Sequence, residues 1–316
     1  MSDKKVIAVL GATGAQGGGL VRAILNDQTG EFTVRAITRN PSSDKAKALV
    51  NMGAEVVSAD IDNYESLVKA FSGAHGVFAI TNFWEHFSAE KETAQAASIA
   101  KATKEANVKH VIWSSLDDTR KFVPLSDNRM PTLQDKYKVP HFDAKGEANK
   151  FFTGSGVPTT ILNTVFYWEN FIYFGQGPKK GPDGKLMLSL PLADKKLPSI
   201  AVDDIGKCAI TIFKDSEKYA GKTIGIAGEQ LTGDQLAAGF SKAFGEEVVY
   251  NAISPEVYRD FGFPGADDMG NMYQFKAEFE DYYCKSRSVE LAKSLNPNLQ
   301  SFATWLETNK SKIPLE

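Results

Sequence analysis

The chain has 316 residues, 42% of them hydrophobic and 24% charged, with a formal net charge of −3, the composition of an ordinary soluble globular protein with room for a substantial core. The slightly acidic balance argues against a nucleic-acid-binding surface, which usually needs a basic excess, and no apolar stretch approaches the ~20 residues of a membrane span. Cys208 and Cys284 lie far apart and suggest no disulfide framework, which fits a reducing compartment, the cytoplasm and also the nucleus.

The N-terminal Met-Ser-Asp-Lys-Lys leads straight into an apolar run and lacks the pattern of a signal peptide. Strands are predicted at 6–10, 33–38, 55–58, 76–80, 110–114 and 159–162, alternating with helical apolar spacing at 16–25, 44–52, 64–71, 91–106 and 143–153. Strict alternation predicts an α/β fold, a Rossmann-type doubly wound parallel sheet with helices on both faces. Such sheets bind ligands at the carboxyl ends of their strands. After residue 163 the rhythm breaks. "PKKGPDGKLMLSLP" is turn chemistry followed by a short strand, "AVDDIGKCAITIF" a helix and "KTIGIAG" a strand. "LTGDQLAAGFSKAFG" opens with the capping-box pair Thr232 and Gln235, and "SFATWLETNK" is a terminal helix. The expected domains are a nucleotide-binding domain over 1–163 and a smaller α+β lobe over 164–316, with the chain free to cross between them.

"VLGATGAQGG" places Gly11, Gly14 and Gly17 at three-residue spacing between the first strand and the first helix. A tight turn would be served by one or two glycines. Three in this context predict close approach of the backbone to a pyrophosphate, with the helix N-terminus offering free N–H groups and the positive end of its dipole. The end of the second strand decides the dinucleotide: an NAD site commonly carries an acid there, an NADP site a cation. Here Arg39 is followed by Asn40, Pro41, Ser42 and Ser43 with no acid. The expected cofactor is NADP(H), with Arg39 on the 2′-phosphate and the two serine hydroxyls as further donors; the competing reading is a solvated surface arginine.

"GATGAQGG", "VRAITRNP", "ITNFWE", "HFDAKGE", "YWENF" and "FGFPGADDMGNMYQF" together resemble the NmrA-like branch of the atypical short-chain dehydrogenases, along nearly the whole chain. The resemblance implies an NADP-binding Rossmann domain with a small C-terminal lobe. It also implies a redox sensor that reports the NADPH/NADP balance to a regulatory protein partner, with a homodimer allowed. By motif, Gly11, Ala12, Thr13, Gly14, Ala15 and Gln16 match the pyrophosphate loop, and Arg39 to Ser43 the 2′-phosphate site. Asp60 and Ile61 match the adenine pocket, and Thr81, Asn82 and Phe83 the segment beneath the ribose and nicotinamide. Lys145 and the run Tyr167, Trp168, Glu169 and Asn170 match the nicotinamide end. One departure is visible: a close relative carries a cofactor-contacting lysine on the helix after "WE", where this chain has Ala94, with Lys91 three residues earlier. That contact is not carried over.

A short-chain dehydrogenase donates a proton from a tyrosine four residues before its lysine. Here the lysine is Lys145 and the preceding position holds His141, so the phenol is missing. Ser114 and Ser115 offer the family's hydroxyl, but a serine alone is no proton donor. Either Lys145 only binds cofactor and the protein is a sensor, or His141 replaces the tyrosine as acid in a reductase of small quinone or carbonyl substrates. Tyr137 stands a turn further away, and Pro140 opposes a continuous helix through it. His75, His86 and His110 show no metal-ligand spacing. The aromatic run "NTVFYWENFIYF" serves core packing or a wall beside the nicotinamide. Residues 116–140 contain three prolines and no sustained period, which predicts a lid over the cofactor site, mobile until NADP(H) binds.

Overall fold

The predicted alternation forms β1 (Lys5–Val9), α1 (Ala15–Leu25), β2 (Phe32–Thr38), α2 (Asp44–Asn51), β3 (Glu55–Ser58), α3 (Tyr64–Phe71), β4 (Gly76–Ala79), α4 (Ala89–Glu105), β5 (His110–Ser115), α5 (Pro140–Thr153) and β6 (Thr159–Asn163). The structure, a computed structural model, describes residues 4–181 and 183–315. Met1 to Asp3, where the absence of a leader pattern was read, and Pro182, in the turn predicted before the strand Leu186–Leu190, lie outside the described residues. Strand order in the sheet is β3-β2-β1-β4-β5-β6, with Thr223–Gly225 beyond β6 as the seventh strand. Neighbours from β3 through β6 pair in parallel. Ile7 and Val9 of β1, Val77 and Phe78 of β4 and Ile112 and Trp113 of β5 are fully buried, as continuous apolar runs must be when helices cover both faces.

Local chemistry sets where the helices begin. Ser43, Asn63 and Ser88 accept the N–H of Ala46, Ser66 and Lys91, three N-caps that start α2, α3 and α4. Helix α5 begins three residues before the predicted 143, with Pro140 as its first residue, where its missing N–H costs nothing. His141 and Lys145 therefore share one helix face, a turn apart.

The chain forms two compact units. The first comprises residues up to Asp118, His141–Asn163 and Asp203–Ile224; the second comprises Thr119–Pro140, Thr164–Val202 and the chain from Gly225 on. The chain thus crosses between the two units repeatedly. The helix Val202–Lys214, expected in the C-terminal lobe, packs on α1: a Cβ at Gly206 would lie 2.3 Å from the backbone carbon of Gly19, and Arg22 pairs with Asp203.

The second unit holds two small three-stranded sheets, one from Glu229–Thr232, Lys196–Ile200 and Phe166–Tyr167, the other from Val248–Ala252, Leu186–Leu190 and Lys179–Lys180. Thr232 and Gln235 close the predicted capping box on the helix Gly233–Phe244. Residues 119–140 are anchored in this unit rather than loose. Val123, Met130, Tyr137 and Val139 are buried. Lys138 Nζ donates to the carbonyls of Asp127 and Met130 and to Thr132 Oγ1 at 2.7, 3.0 and 3.0 Å. Asn271 Nδ2 donates to the carbonyls of Pro131 and Lys138 at 3.0 and 2.6 Å. The segment lacks a period because side chains and backbone are gripped irregularly. Among the described residues no helix is long and apolar enough to cross a membrane.

Candidate functional site

The order of the sheet reverses between β1 and β4, which opens a crevice beyond their carboxyl ends. Leu10 N–H still bonds the Phe78 carbonyl at 3.1 Å; the chain then turns away at Gly11, with φ +61° and the Ile80 side chain 3.2 Å from where a Cβ would sit. At Gly17 a Cβ would stand 2.4 Å from the Gly11 carbonyl oxygen and 2.6 Å from that of Leu10, so α1 begins pressed against the loop. Its N-cap, Gly14, supplies no side-chain cap. Uncapped helix N–H groups beside backbone free of Cβ atoms form a cradle that fits a pyrophosphate. Ala12 is buried beneath the loop. Gln16 turns its side chain inward, its Oε1 accepting from Ser114 Oγ at 2.8 Å; this leaves Gln16 a backbone role and occupies the Ser114 hydroxyl.

At the end of β2, Arg39, Asn40, Pro41 and Ser42 are exposed. Ser42 Oγ donates to Asn40 Oδ1 at 2.7 Å and Ser43 Oγ to the Asn40 carbonyl at 2.9 Å, while Ser43 also caps α2. Both serine hydroxyls are thus engaged within the turn that follows Arg39. Arg39 is held by Glu85, from the turn Phe83–Glu85 after β4. Asp60 follows β3; its Oδ1 accepts the Asp62 N–H at 3.0 Å, and Ile61 beside it is half-buried.

Beneath the carboxyl end of β4 lies a closed polar cluster. Lys145 Nζ donates to the Thr81 carbonyl at 3.1 Å and to Thr81 Oγ1 at 2.8 Å, and stands 2.8 Å from Glu92 Oε1. Thr81 Oγ1 in turn donates to Glu92 Oε1 at 2.6 Å. The Trp113 ring lies 5.0 Å from the ammonium. Glu92 is completely buried, and burial alone would raise its pKa. The Lys145 charge, with hydrogen bonds from Lys145 and Thr81 and the His86 ring nearby, outweighs burial and holds the carboxyl down at about 2. His86 Nδ1 accepts the Ser88 N–H at 3.1 Å, and its Nε2 lies 3.6 Å from Glu92 Oε2.

A sequence model of the NmrA-like family matches residues 3–306. The chain belongs to the NmrA-like family. The NmrA-like oxidoreductase FrzB of Cladobotryum sp. is 33% identical over 291 residues, spanning 85% of this chain and 83% of the relative. Among solved structures, NmrA, a negative transcriptional regulator, in complex with NADP superposes with a TM-score of 0.78 at 23% identity, covering 96% of this chain and 95% of the other. The Citrobacter sp. triphenylmethane reductase complexed with NADP(H) gives 0.75 at 24%, covering 97% and 99%. Both share the fold with this NmrA-like chain.

In this NmrA-like chain His141 is buried, its ring centroid 4.8 Å from that of Trp84 and 5.9 Å from that of Phe83. Tyr137 lies outside α5, in the second unit, bridged to Leu133. Ser115 Oγ donates to Asn149 Oδ1 at 2.7 Å. Thr81 and Phe83 are buried and Asn82 is exposed. Tyr167 to Asn170 belong to the second unit, where Trp168 Nε1 donates to Ser199 Oγ at 2.8 Å and Glu169 accepts from Trp305 Nε1 and the Val202 N–H, each at 3.0 Å. Packing inside that unit uses the polar atoms of Trp168 and Glu169, and Tyr167 Oη lies 3.3 Å from Thr164 Oγ1. Lys91 pairs with Asp62 at 2.9 Å.

Sequence reasoning missed Glu92, His86 and Glu85. A signal for Glu92 exists: it stands at helical spacing with Ala96, Ile99 and Thr103, all fully buried, a carboxylate on the apolar stripe of α4. Glu85 and His86 carry no such mark.

Proposed function

We propose that this chain binds NADP(H) at the carboxyl ends of β1, β2 and β4 and that occupancy of this site reports the NADPH/NADP balance to a protein partner. The pyrophosphate lies on the Gly11–Gly17 loop, Arg39 with Ser42 and Ser43 takes the 2′-phosphate, and Asp60 and Ile61 border the adenine. Thr81, Asn82 and Phe83 with Lys145 support the ribose and nicotinamide. The observation that carries the sensor reading is the state of the position one turn before Lys145. His141 there is buried among Phe83, Trp84 and Phe142, and no tyrosine stands on α5 to give up a proton. Binding groups are present and the phenol that would complete the chemistry is absent.

A second reading, NADPH-dependent reduction of a small quinone or carbonyl with His141 as acid, is favoured by the name oxidoreductase that the Cladobotryum relative carries. Calorimetric titration with NADPH, run beside NADPH oxidation against a panel of quinones and carbonyls, separates the two. Tight binding without turnover supports the sensor. Saturable turnover abolished by His141→Ala overturns it. In either case Arg39→Asp removes or reverses the preference for NADPH over NADH, since a hydrogen bond to a charged group is worth about 1.5–3 kcal/mol.

A further inference from the structure

We propose that Glu85 is a specificity-determining residue that works against the 2′-phosphate: its carboxylate holds the Arg39 guanidinium and lowers both the affinity for NADP(H) and the selectivity over NAD(H). The inference rests on the reading of Arg39 as the 2′-phosphate ligand given above.

Arg39 and Glu85 are 46 residues apart, the first at the end of β2 and the second in the turn after β4, and Arg39 Nη1 donates to Glu85 Oε1. Their side chains keep 62% and 46% of their exposure. A pair this wet contributes little to folding. A guanidinium offers five N–H donors in a fixed fork, for which carboxylate and phosphate oxygens compete. An incoming phosphate must therefore take over the donor held by Glu85 or bind next to its negative charge. Both routes weaken phosphate binding.

Other acids near Arg39 are better balanced. Asp60 and Asp62 add to the field that, after the Glu85 hydrogen bond, raises the Arg39 pKa. Asp62, however, is paired with Lys91 at 2.9 Å and accepts from Gln95 at 2.8 Å, and Asp60 Oδ1 is occupied by the Asp62 N–H at 3.0 Å. Glu85 is the acid in contact with the arginine itself. The second strand thus ends in a cation, as a phosphate site requires, and a second loop brings the acid that such strand ends usually exclude.

The test is calorimetric titration of the unmodified chain, Glu85→Gln, Arg39→Ala and the double variant with NADPH, NADH and the fragment 2′,5′-ADP. Glu85→Gln should tighten NADPH and 2′,5′-ADP by about two- to fivefold, the range of an exposed ion pair, raising the NADPH-to-NADH affinity ratio. The gain should shrink in high salt and vanish in the Arg39→Ala background. Weaker or unchanged NADPH binding by Glu85→Gln would overturn the proposal, because it would mean that Glu85 orients Arg39 for the phosphate or stands clear of it. A gain that survives loss of Arg39 would overturn it too. Failure of the unmodified chain to bind any of these nucleotides would overturn the cofactor reading itself, a result distinct from an unmoved ratio.

Discussion

Glu92→Gln tests whether the buried cluster under β4 is held by charge. The substitution keeps shape and the Thr81 hydrogen bond but removes the counter-charge of Lys145, leaving an ammonium among Thr81, Trp113 and α4 with no carboxylate 2.8 Å away. The carboxyl is held at about 2 against a usual 4.5. At roughly 1.4 kcal/mol per unit, this corresponds to about 3 kcal/mol of stability near neutral pH. Removing one partner of a buried pair independently suggests about 3–5 kcal/mol. Urea denaturation followed by circular dichroism should show that loss in Glu92→Gln. Because the folded pKa is depressed, the contribution is complete above the unfolded value and disappears as pH falls from about 4.5 to about 2; the variant should lack that part of the acid transition. Glu92→Gln/Lys145→Met should recover part of the loss, since no unpaired ion is left buried. A cost below about 1 kcal/mol, or strictly additive costs in the double-mutant cycle, would refute the account.

Gly17→Ala should destabilise the chain by about 1–3 kcal/mol and weaken NADPH binding, because its Cβ meets backbone at 2.4 Å; Gly18→Ala, whose closest contact is 3.2 Å, should do so less, and calorimetry with thermal melts compares them. Burial, with a smaller push from His75, holds His110 at about 4, so the fold loses roughly 1.4 kcal/mol per pH unit as pH drops from 6.5 towards 4. His110→Gln should flatten that slope in a pH series of urea melts. Limited trypsinolysis should cut the exposed Lys121, Arg129 and Lys136 slowly, equally with and without NADPH, and leave the buried Lys138 intact. Asn271→Ala, which releases two carbonyls of the segment, should speed cutting, whereas rapid nicking suppressed by NADPH would support a lid ordered by the cofactor.

What was legible in the sequence was local. Strand and helix periods, the capping box at Thr232 and the glycine spacing each depend on neighbours a few residues away, and they yielded β1 to β6 within a residue or two and the loop that a Cβ would block. Pairings across tens of residues were not legible. Lys145 was singled out from the "HFDAKGE" match, yet its partner Glu92 lies 53 positions earlier on a helix rich in charge. The helix Val202–Lys214 has a clear amphipathic pattern, but only the approach of Gly206 to Gly19 tells which unit it packs in. The contacts of the stretch 119–140 were illegible for the opposite reason. An aperiodic sequence says that backbone groups are not paired in regular structure, and Lys138 and Asn271 pair them individually.

The two lysine and arginine sites differ in a way that bears on how a nucleotide would act on this fold. Lys145 and Glu92 form a dry pair in which loss of either partner is costly, so a ligand that pulled the ammonium away would first have to replace several kcal/mol of interaction. The cluster is therefore costly to disturb. Arg39 and Glu85 form a wet pair worth at most about 1 kcal/mol, which a phosphate can displace at little cost. A ligand shifts a conformational equilibrium only through a difference in affinity between states. In the first unit, that difference is easier to generate at Glu85 in the turn Phe83–Glu85, where an exposed side chain holds Arg39, than at Lys145 of α5, buried against Thr81. The adjoining Trp84 ring lies against His141, so a displacement of that turn would reach the one titratable side chain that stands where a dehydrogenase keeps its acid.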